Sequence, residues 1–187
     1  MKVSNQVLIE DLTKRTKEHI AKAKGYQQLE LKNLNIKKTP EKWSLLECIE
    51  HLNRYGDFYI PEISRRIESG KNATASATFK SGWLGNYFAE SMLPKEKLNK
   101  MKTFKSMNPA GSQLGVEVLD KFIKQQEDLL DLLGKAKTID LVKTKTGISI
   151  SKLIKLRLGD TFRVVIYHNY RHIVQADACL DEKRTEK

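Results

Sequence analysis

Apolar side chains recur at the spacing of an α-helix over four long stretches of this 187-residue chain. A side chain returns to the same face of a helix every three or four residues, so this spacing produces a helix with one apolar face. The pattern covers roughly residues 4–34, 43–70, 113–134 and 159–180. Because each apolar face must be buried, the sequence predicts an all-α fold in which four principal helices form a four-helix bundle.

The second helical segment has the clearest beginning and end. Ser44 and Glu47 have the spacing of a capping box, in which each side chain bonds a free backbone N–H of the first turn. Apolar side chains then follow at helical spacing over residues 45–67, and Gly70 is a typical stop. Pro61 is predicted to bend this helix without ending it.

The second and third helices are joined by a long connection. Residues 71–111 lose the helical pattern and are interrupted by Pro94 and Pro109, so we expect only a short helix or two there. A long connection in a compact domain is often a functional lid or crossover. Residues 138–158 are basic and β-branched, which favours an extended segment before the last helix, for which Asp160 is the expected N-cap.

Length and composition suit a single domain over residues 1–187, with a charged tail at about 181–187. Hydrophobic residues make up 40% of the chain, which excludes a disordered protein. No stretch approaches the roughly 18 apolar residues of a membrane-spanning helix. Since the first six residues begin no apolar signal stretch, we expect a cytoplasmic protein with no membrane partner.

The net charge of +11 is concentrated in two segments. Residues 71–107 contain seven lysines and two glutamates, and residues 135–157 contain seven basic residues and one aspartate. A basic surface can attract nucleic acid, membranes or anionic small molecules. Neither segment has the aromatic signature of an RNA-recognition motif or the spacing of a zinc finger. A solvated basic surface is therefore the simplest interpretation, and nucleic acid is not the expected partner.

Two of the four histidines, His168 and His172, are four residues apart on the last predicted helix. That spacing places both imidazoles on one face, about one turn apart, where both can reach one metal ion. His51 lies at the edge of the apolar face of the second helix. Together the three form a nitrogen set for Zn, Ni or Fe, with any remaining coordination position open to water or substrate. The residue types alone also allow core packing for His51 and a solvated face for the pair.

Two stretches of the chain resemble signatures of the DinB-like superfamily. In residues 43–52 a Trp near a helix start is followed by His-Leu eight residues on. In residues 158–176 Leu-Gly precedes a helix that carries the pattern His-x-x-Arg-His-x-x-Gln-Ala. The order and the separation of the two stretches also match. The resemblance implies a DinB-like bundle that holds a divalent metal with His51, His168 and His172.

The DinB-like superfamily includes thiol-dependent transferases and hydrolases as well as many members with no assigned activity. The resemblance therefore implies a metal-dependent enzyme of thiol-transferase or hydrolase type. It also implies Zn or Ni as the usual metal, with Fe as a further candidate, and a low-molecular-weight thiol and a homodimer as expected partners. With the basic surface, the expected substrate is an anionic small molecule. The alternative is a non-catalytic bundle protein that binds an anionic partner through its basic surface.

Three neighbouring polar side chains are weaker candidates for supporting the metal ligands. Gln175 could orient a ligand or a metal-bound water, and Glu47 could accept the second N–H of His51. Arg171 could pair with an anionic substrate. Each has a structural alternative, namely a surface amide for Gln175, the capping box for Glu47 and an ion pair within the bundle for Arg171. The sequence identifies no catalytic residue.

Overall fold

The computed structural model describes residues 1–70, 75–94 and 103–181, except for the side chains of Lys152 and Asp181. Six α-helices and four short strands occur in this part of the chain. In order they are β1 (Lys2–Ser4), α1 (Asn5–Tyr26), α2 (Leu31–Leu34), α3 (Leu45–Gly70), β2 (Thr78–Lys80), α4 (Trp83–Met92), α5 (Glu117–Ala136), β3 (Lys145–Ile148), β4 (Ser151–Arg157) and α6 (Leu158–Asp181). A 3₁₀ turn at Lys105–Met107 precedes α5.

The four long helices form the bundle. α3 packs against α5 and α6, and α1 packs against the same two helices from the other side. The prediction of an all-α four-helix bundle is therefore confirmed. None of the described helices is long and apolar enough to cross a membrane.

The first and third predicted helices have different boundaries in the structure, whereas the second passes Pro61 and ends at Gly70 as predicted. The first helix ends at Tyr26, just after Gly25, and the short α2 follows as a separate turn. Glycine weakens a helix because it has more backbone freedom to lose. α3 runs from Leu45 to Gly70 with Pro61 inside it. α5 begins at Glu117 and not at Gln113.

The strands form two small antiparallel ladders beside the bundle. β1 pairs with β2, with Val3 opposite Phe79, and this ladder was not predicted from the sequence. β3 pairs with β4 as a hairpin within the segment that was predicted to be extended. The predicted short helix of the long connection is α4, which packs against α6. The polar stretch at 71–74 and the charged tail beyond Asp181 lie outside the described residues.

The core of the bundle consists of two apolar clusters with a buried polar layer between them. Along α3 the first cluster includes Leu45 to Leu52, and the second begins at Tyr59. The other long helices pass from one cluster to the other in the same way. The polar layer is formed by buried side chains from all four long helices: Thr16, His19, Asn53, Gln125, Gln126 and Asn169.

A buried carboxylate joins α6 to α4. Asp160 is fully buried in the first turn of α6 and does not serve as its N-cap. Its carboxylate accepts hydrogen bonds from the Ser81 hydroxyl and from Gly82 N at 2.8 Å, and it pairs with Arg163 at 3.3 Å. A Cβ atom at Gly85 would lie 2.4 Å from Asp160 Cγ. Glycine at this position therefore lets α4 approach the carboxylate.

We predict that Asp160→Asn lowers the free energy of unfolding by about 3 kcal/mol, because the substitution leaves the buried Arg163 guanidinium without its counter-charge. Urea denaturation at neutral pH measures the change. The matched control is Asp131→Asn, which removes an exposed pair with Lys135 and should cost less than about 1 kcal/mol. Equal costs for the two variants would contradict the structural role of Asp160.

His19 in the polar layer should make the stability of the bundle depend on pH. Burial lowers the pKa of this imidazole from 6.5 to about 4. Between these two values the unfolded chain binds a proton that the folded chain does not, so stability falls as the pH drops through this window. Between pH 7 and pH 5 the free energy of unfolding of the wild type should fall. We predict that this fall is about 2 kcal/mol smaller in the His19→Gln variant.

Denaturation curves of the wild type and the His19→Gln variant at the two pH values test this prediction. The comparison cancels the contributions of the other histidines, which both proteins share. An identical pH dependence in the two proteins would show that the pKa of His19 is the same in the folded and the unfolded chain.

Candidate metal centre

The packing of α3 against α6 brings three histidines together. One side-chain nitrogen from each of His51, His168 and His172 lies within 4.8 Å of the other two. The ring centroids are 4.5 Å apart for His51 and His172 and 4.6 Å apart for His168 and His172. His51 Nε2 lies 3.3 Å from His168 Nε2. The only other histidine, His19, is not part of this cluster.

Hydrogen bonds define the nitrogen that two of the rings can offer to a metal. His51 Nδ1 is 2.7 Å from the Met107 carbonyl oxygen, and His172 Nδ1 is 2.9 Å from Gln175 Oε1. Both oxygens accept, so both Nδ1 atoms carry the proton and donate it. Nε2 is then the unprotonated nitrogen of each ring, which is the form that binds a metal ion.

All three imidazoles are uncharged at neutral pH. Burial lowers the pKa of His51 to about 4 and that of His172 to about 3. Burial also lowers the pKa of His168 well below its ordinary value, and the neighbouring His172 and His51 lower it further. A neutral imidazole keeps the lone pair that a metal needs, so the cluster presents three ligands without first losing protons.

One pair of nitrogens in the cluster has the separation that a metal ion between them requires, and all three lie within 4.8 Å of one another. Two nitrogens at 2.0–2.1 Å from a tetrahedral zinc ion lie about 3.3–3.4 Å from each other. The His51–His168 distance of 3.3 Å has this value. Three neutral imidazoles are a donor set that suits Zn, Ni or Fe, whereas Mg and Ca prefer oxygen ligands. The residues present therefore fit the divalent metal that the sequence predicts.

Two aromatic side chains hold the imidazoles from either side. The Trp43 ring packs on His51 and His172, with centroids 4.8 and 5.8 Å away. The Tyr55 ring packs edge-on against His51 and His168 at 4.9 and 4.7 Å. Rings in contact with other rings have few free rotamers, so the cluster is preorganised.

Three side chains along α3 fix the loop that supports His51. Glu47 Oε1 accepts a hydrogen bond from Gly111 N at 2.8 Å, and Arg54 Nη1 donates to the Asn108 carbonyl at 2.8 Å. His51, which lies between Glu47 and Arg54 on α3, donates to the Met107 carbonyl of the same loop. Gly111 has a φ of 79°, a conformation that favours glycine. Glu47, His51 and Arg54 share one face of the helix, so the loop is bonded to α3 at three successive turns.

The weaker candidates occupy three different environments. The Gln175 amide accepts from His172. Glu47 forms the predicted capping box with Ser44 and also pairs with Lys37 at 2.6 Å, whereas the oxygen that accepts from His51 belongs to Met107. Arg171 is 6% exposed and lines the adjoining cavity.

Met107 and Tyr55 contact the clustered histidines but were not predicted as part of the site. A backbone carbonyl such as that of Met107 leaves no signal in a sequence. Tyr55 lies one turn after His51, and this spacing could have indicated that the two rings share a face.

The histidine cluster faces a cavity of about 880 Å³. This volume lies within the range of small-molecule sites. Besides α3 and α6, its walls come from α4, from the tip of the β3–β4 hairpin and from residues 103–108. A metal ion on the three nitrogens would therefore be reached from a space large enough for a substrate.

Comparison with known proteins identifies the family. The sequence matches the model of the DinB superfamily over residues 13–176, which include all three clustered histidines. The chain belongs to the DinB superfamily. No curated protein and no solved structure matches it significantly. Within this DinB superfamily protein, the assignment of individual site residues therefore depends on the geometry described above.

We predict that Gln175→Leu weakens the affinity for Zn²⁺ about 10- to 100-fold, because the His172 ring loses the acceptor that orients it. Gln175→Glu keeps an acceptor oxygen and should retain affinity close to that of the wild type. Competition with a chromophoric chelator measures both affinities. Wild-type affinity in Gln175→Leu would show that the hydrogen bond does not position the ligand.

Proposed function

We propose that the protein binds one divalent metal ion through His51, His168 and His172 and uses it in a thiol-transfer or hydrolytic reaction. The observation that carries this proposal is the convergence of three neutral imidazole nitrogens within 4.8 Å at the wall of a large cavity. Zn and Ni are the first candidates for the metal, and Fe is the third. The low-molecular-weight thiol, the homodimer and the cytoplasmic location stay predictions.

A divalent cation bound here would supply Lewis acidity, which activates water or a thiol as a nucleophile near neutral pH. The residues of the chain have the other tasks. Met107 and Gln175 keep Nε2 of His51 and His172 unprotonated. Trp43 and Tyr55 pack on the rings and hold their orientation. Arg171, buried beside the cluster, supplies positive charge for an anionic group of the substrate.

Elemental analysis of untagged protein tests the metal site. We expect about one Zn, Ni or Fe per chain in the wild type and loss of most of it in His51→Ala, His168→Ala and His172→Ala, since two imidazoles no longer complete the set. His19→Ala is the matched control, because it removes a buried histidine that is outside the cluster and should keep its metal. Circular dichroism confirms that each variant is folded.

Two results would overturn the proposal. One is a wild-type protein that takes up no metal even after incubation with Zn²⁺ and Ni²⁺. The other is a His168→Ala variant that keeps its full complement. If one metal per chain is found, thiol-transfer and ester or amide hydrolysis assays with the loaded protein test the reaction, and His168→Ala should lose any activity detected.

A further inference from the structure

The cavity beside the histidine cluster is elongated along α6. This helix contributes to the cavity wall from Val164 to Cys179, which corresponds to about 22 Å at 1.5 Å per residue. α3 runs in the opposite direction, because His51 packs on His172 whereas Tyr55, one turn later, packs on His168. The histidine cluster therefore lies part-way along the cavity, with space towards both ends of α6.

One end of the cavity is apolar. Beyond His168, towards the start of α6, the wall is formed by side chains from α4, α6 and the hairpin: Phe88, Met92, Ile148, Leu156, Val164 and Val165. Polar groups at this end include the hydroxyls of Tyr59 and Ser149, which lie 3.4 Å from each other. Such a wall favours the burial of a hydrocarbon group.

The other end of the cavity is polar and includes cationic side chains among its described lining residues. Beyond His172 the wall includes Gln175, Trp43 and the cations Lys38 and Lys42, with Glu41 as the acidic side chain among the described lining residues. Arg171, which is buried, lines the cavity next to the histidines. Lys42 and the buried Arg171 bring cationic side chains to this part of the cavity wall, and a bound anionic group can pair with them.

We infer that the cavity binds an elongated amphiphile, a small molecule with an aliphatic or aromatic group at one end and an anionic group at the other. The hydrocarbon group occupies the apolar end, and the anionic group lies near Lys42 and Arg171. The bond between the two groups then passes the three histidines. This substrate class rests on the proposed function for the site of reaction, whereas the binding of the amphiphile requires no metal.

Fluorescence of Trp43 provides a direct measurement, because this ring lines the cavity. The only other tryptophan, Trp83, is 84% exposed, so a Trp83→Phe background leaves Trp43 as the sole reporter. The probes are sodium decanoate, butyrate, decanol and decyltrimethylammonium, each below its aggregation concentration. They are titrated into chelator-treated protein and into Zn²⁺-loaded protein.

Decanoate should bind about tenfold or more tightly than butyrate, since every buried methylene adds favourable transfer free energy. It should also bind more tightly than decyltrimethylammonium, because the cations attract the carboxylate and repel the ammonium group. Both orders should hold with and without Zn²⁺. Equal affinities for decanoate and decyltrimethylammonium would overturn the inferred position of the anion, and equal affinities for decanoate and butyrate would overturn the apolar end.

Charge variants locate the two groups. Lys42 is exposed, and Lys42→Glu should lower the affinity for decanoate about fivefold and leave the affinity for decanol unchanged. The control is Lys17→Glu, at an exposed position of α1, which should change neither affinity. Met92→Glu, at the apolar end, should lower the affinity for both decanoate and decanol. Ile150→Glu, at a hairpin position that is 46% exposed, serves the same purpose without a substitution in the core.

One pattern separates this inference from the proposed metal function. If decanoate binds only the Zn²⁺-loaded protein and is lost in His168→Ala, its carboxylate binds the metal and the inferred placement is wrong. If the protein takes up no metal but still binds decanoate in a manner sensitive to Lys42→Glu, the metal proposal fails and the amphiphile site stands.

Discussion

The antiparallel packing of α3 against α6 is the contact on which the rest of the site depends. It sets His51 opposite His172 and Tyr55 opposite His168, with ring centroids 4.5 and 4.7 Å apart. Because the spacing i, i+4 repeats on both helices, rings from one helix meet rings from the other at successive turns. Apolar clusters above and below this level hold the two helices in register. A shift of one helix by one turn would leave His51 beside at most one of its two partners.

Segments outside the bundle orient and enclose the side chains that α3 and α6 bring together. The loop that bears Met107 is bonded to α3 through Glu47, His51 and Arg54, so the orientation of the His51 ring depends on a connection far from it in sequence. The β3–β4 hairpin is joined to α3 by Glu62, which accepts from Gly147 N at 2.7 Å. Burial alone would raise the pKa of Glu62, but its hydrogen bonds to Gly147 and two arginines lower it to about 2.

The four long helices and the pairing of His168 with His172 could be predicted from the sequence, because both depend on local spacing. The case for His51 as the third ligand depended on the resemblance to the DinB-like superfamily. Helical periodicity indicated the bundle, and His168 and His172 share a face in any helix. The capping box of Ser44 and Glu47 was equally local. The β1–β2 ladder was not predictable in the same way, since its strands are short and pair across about 75 residues. Asp160 was misread as an N-cap because its partners, Ser81 and Gly82, come from another element.

The sequence by itself determined which helices form and which side chains could bind a metal, since helix periodicity and imidazole chemistry are properties of short segments. Only the tertiary structure decided that His51 reaches the other two, that Met107 and Gln175 orient the rings, and that the cavity has an apolar end and a cationic end. The physical reason is that these features depend on contacts between residues that are distant in the chain. Such contacts are set by the packing of whole elements and not by any local pattern.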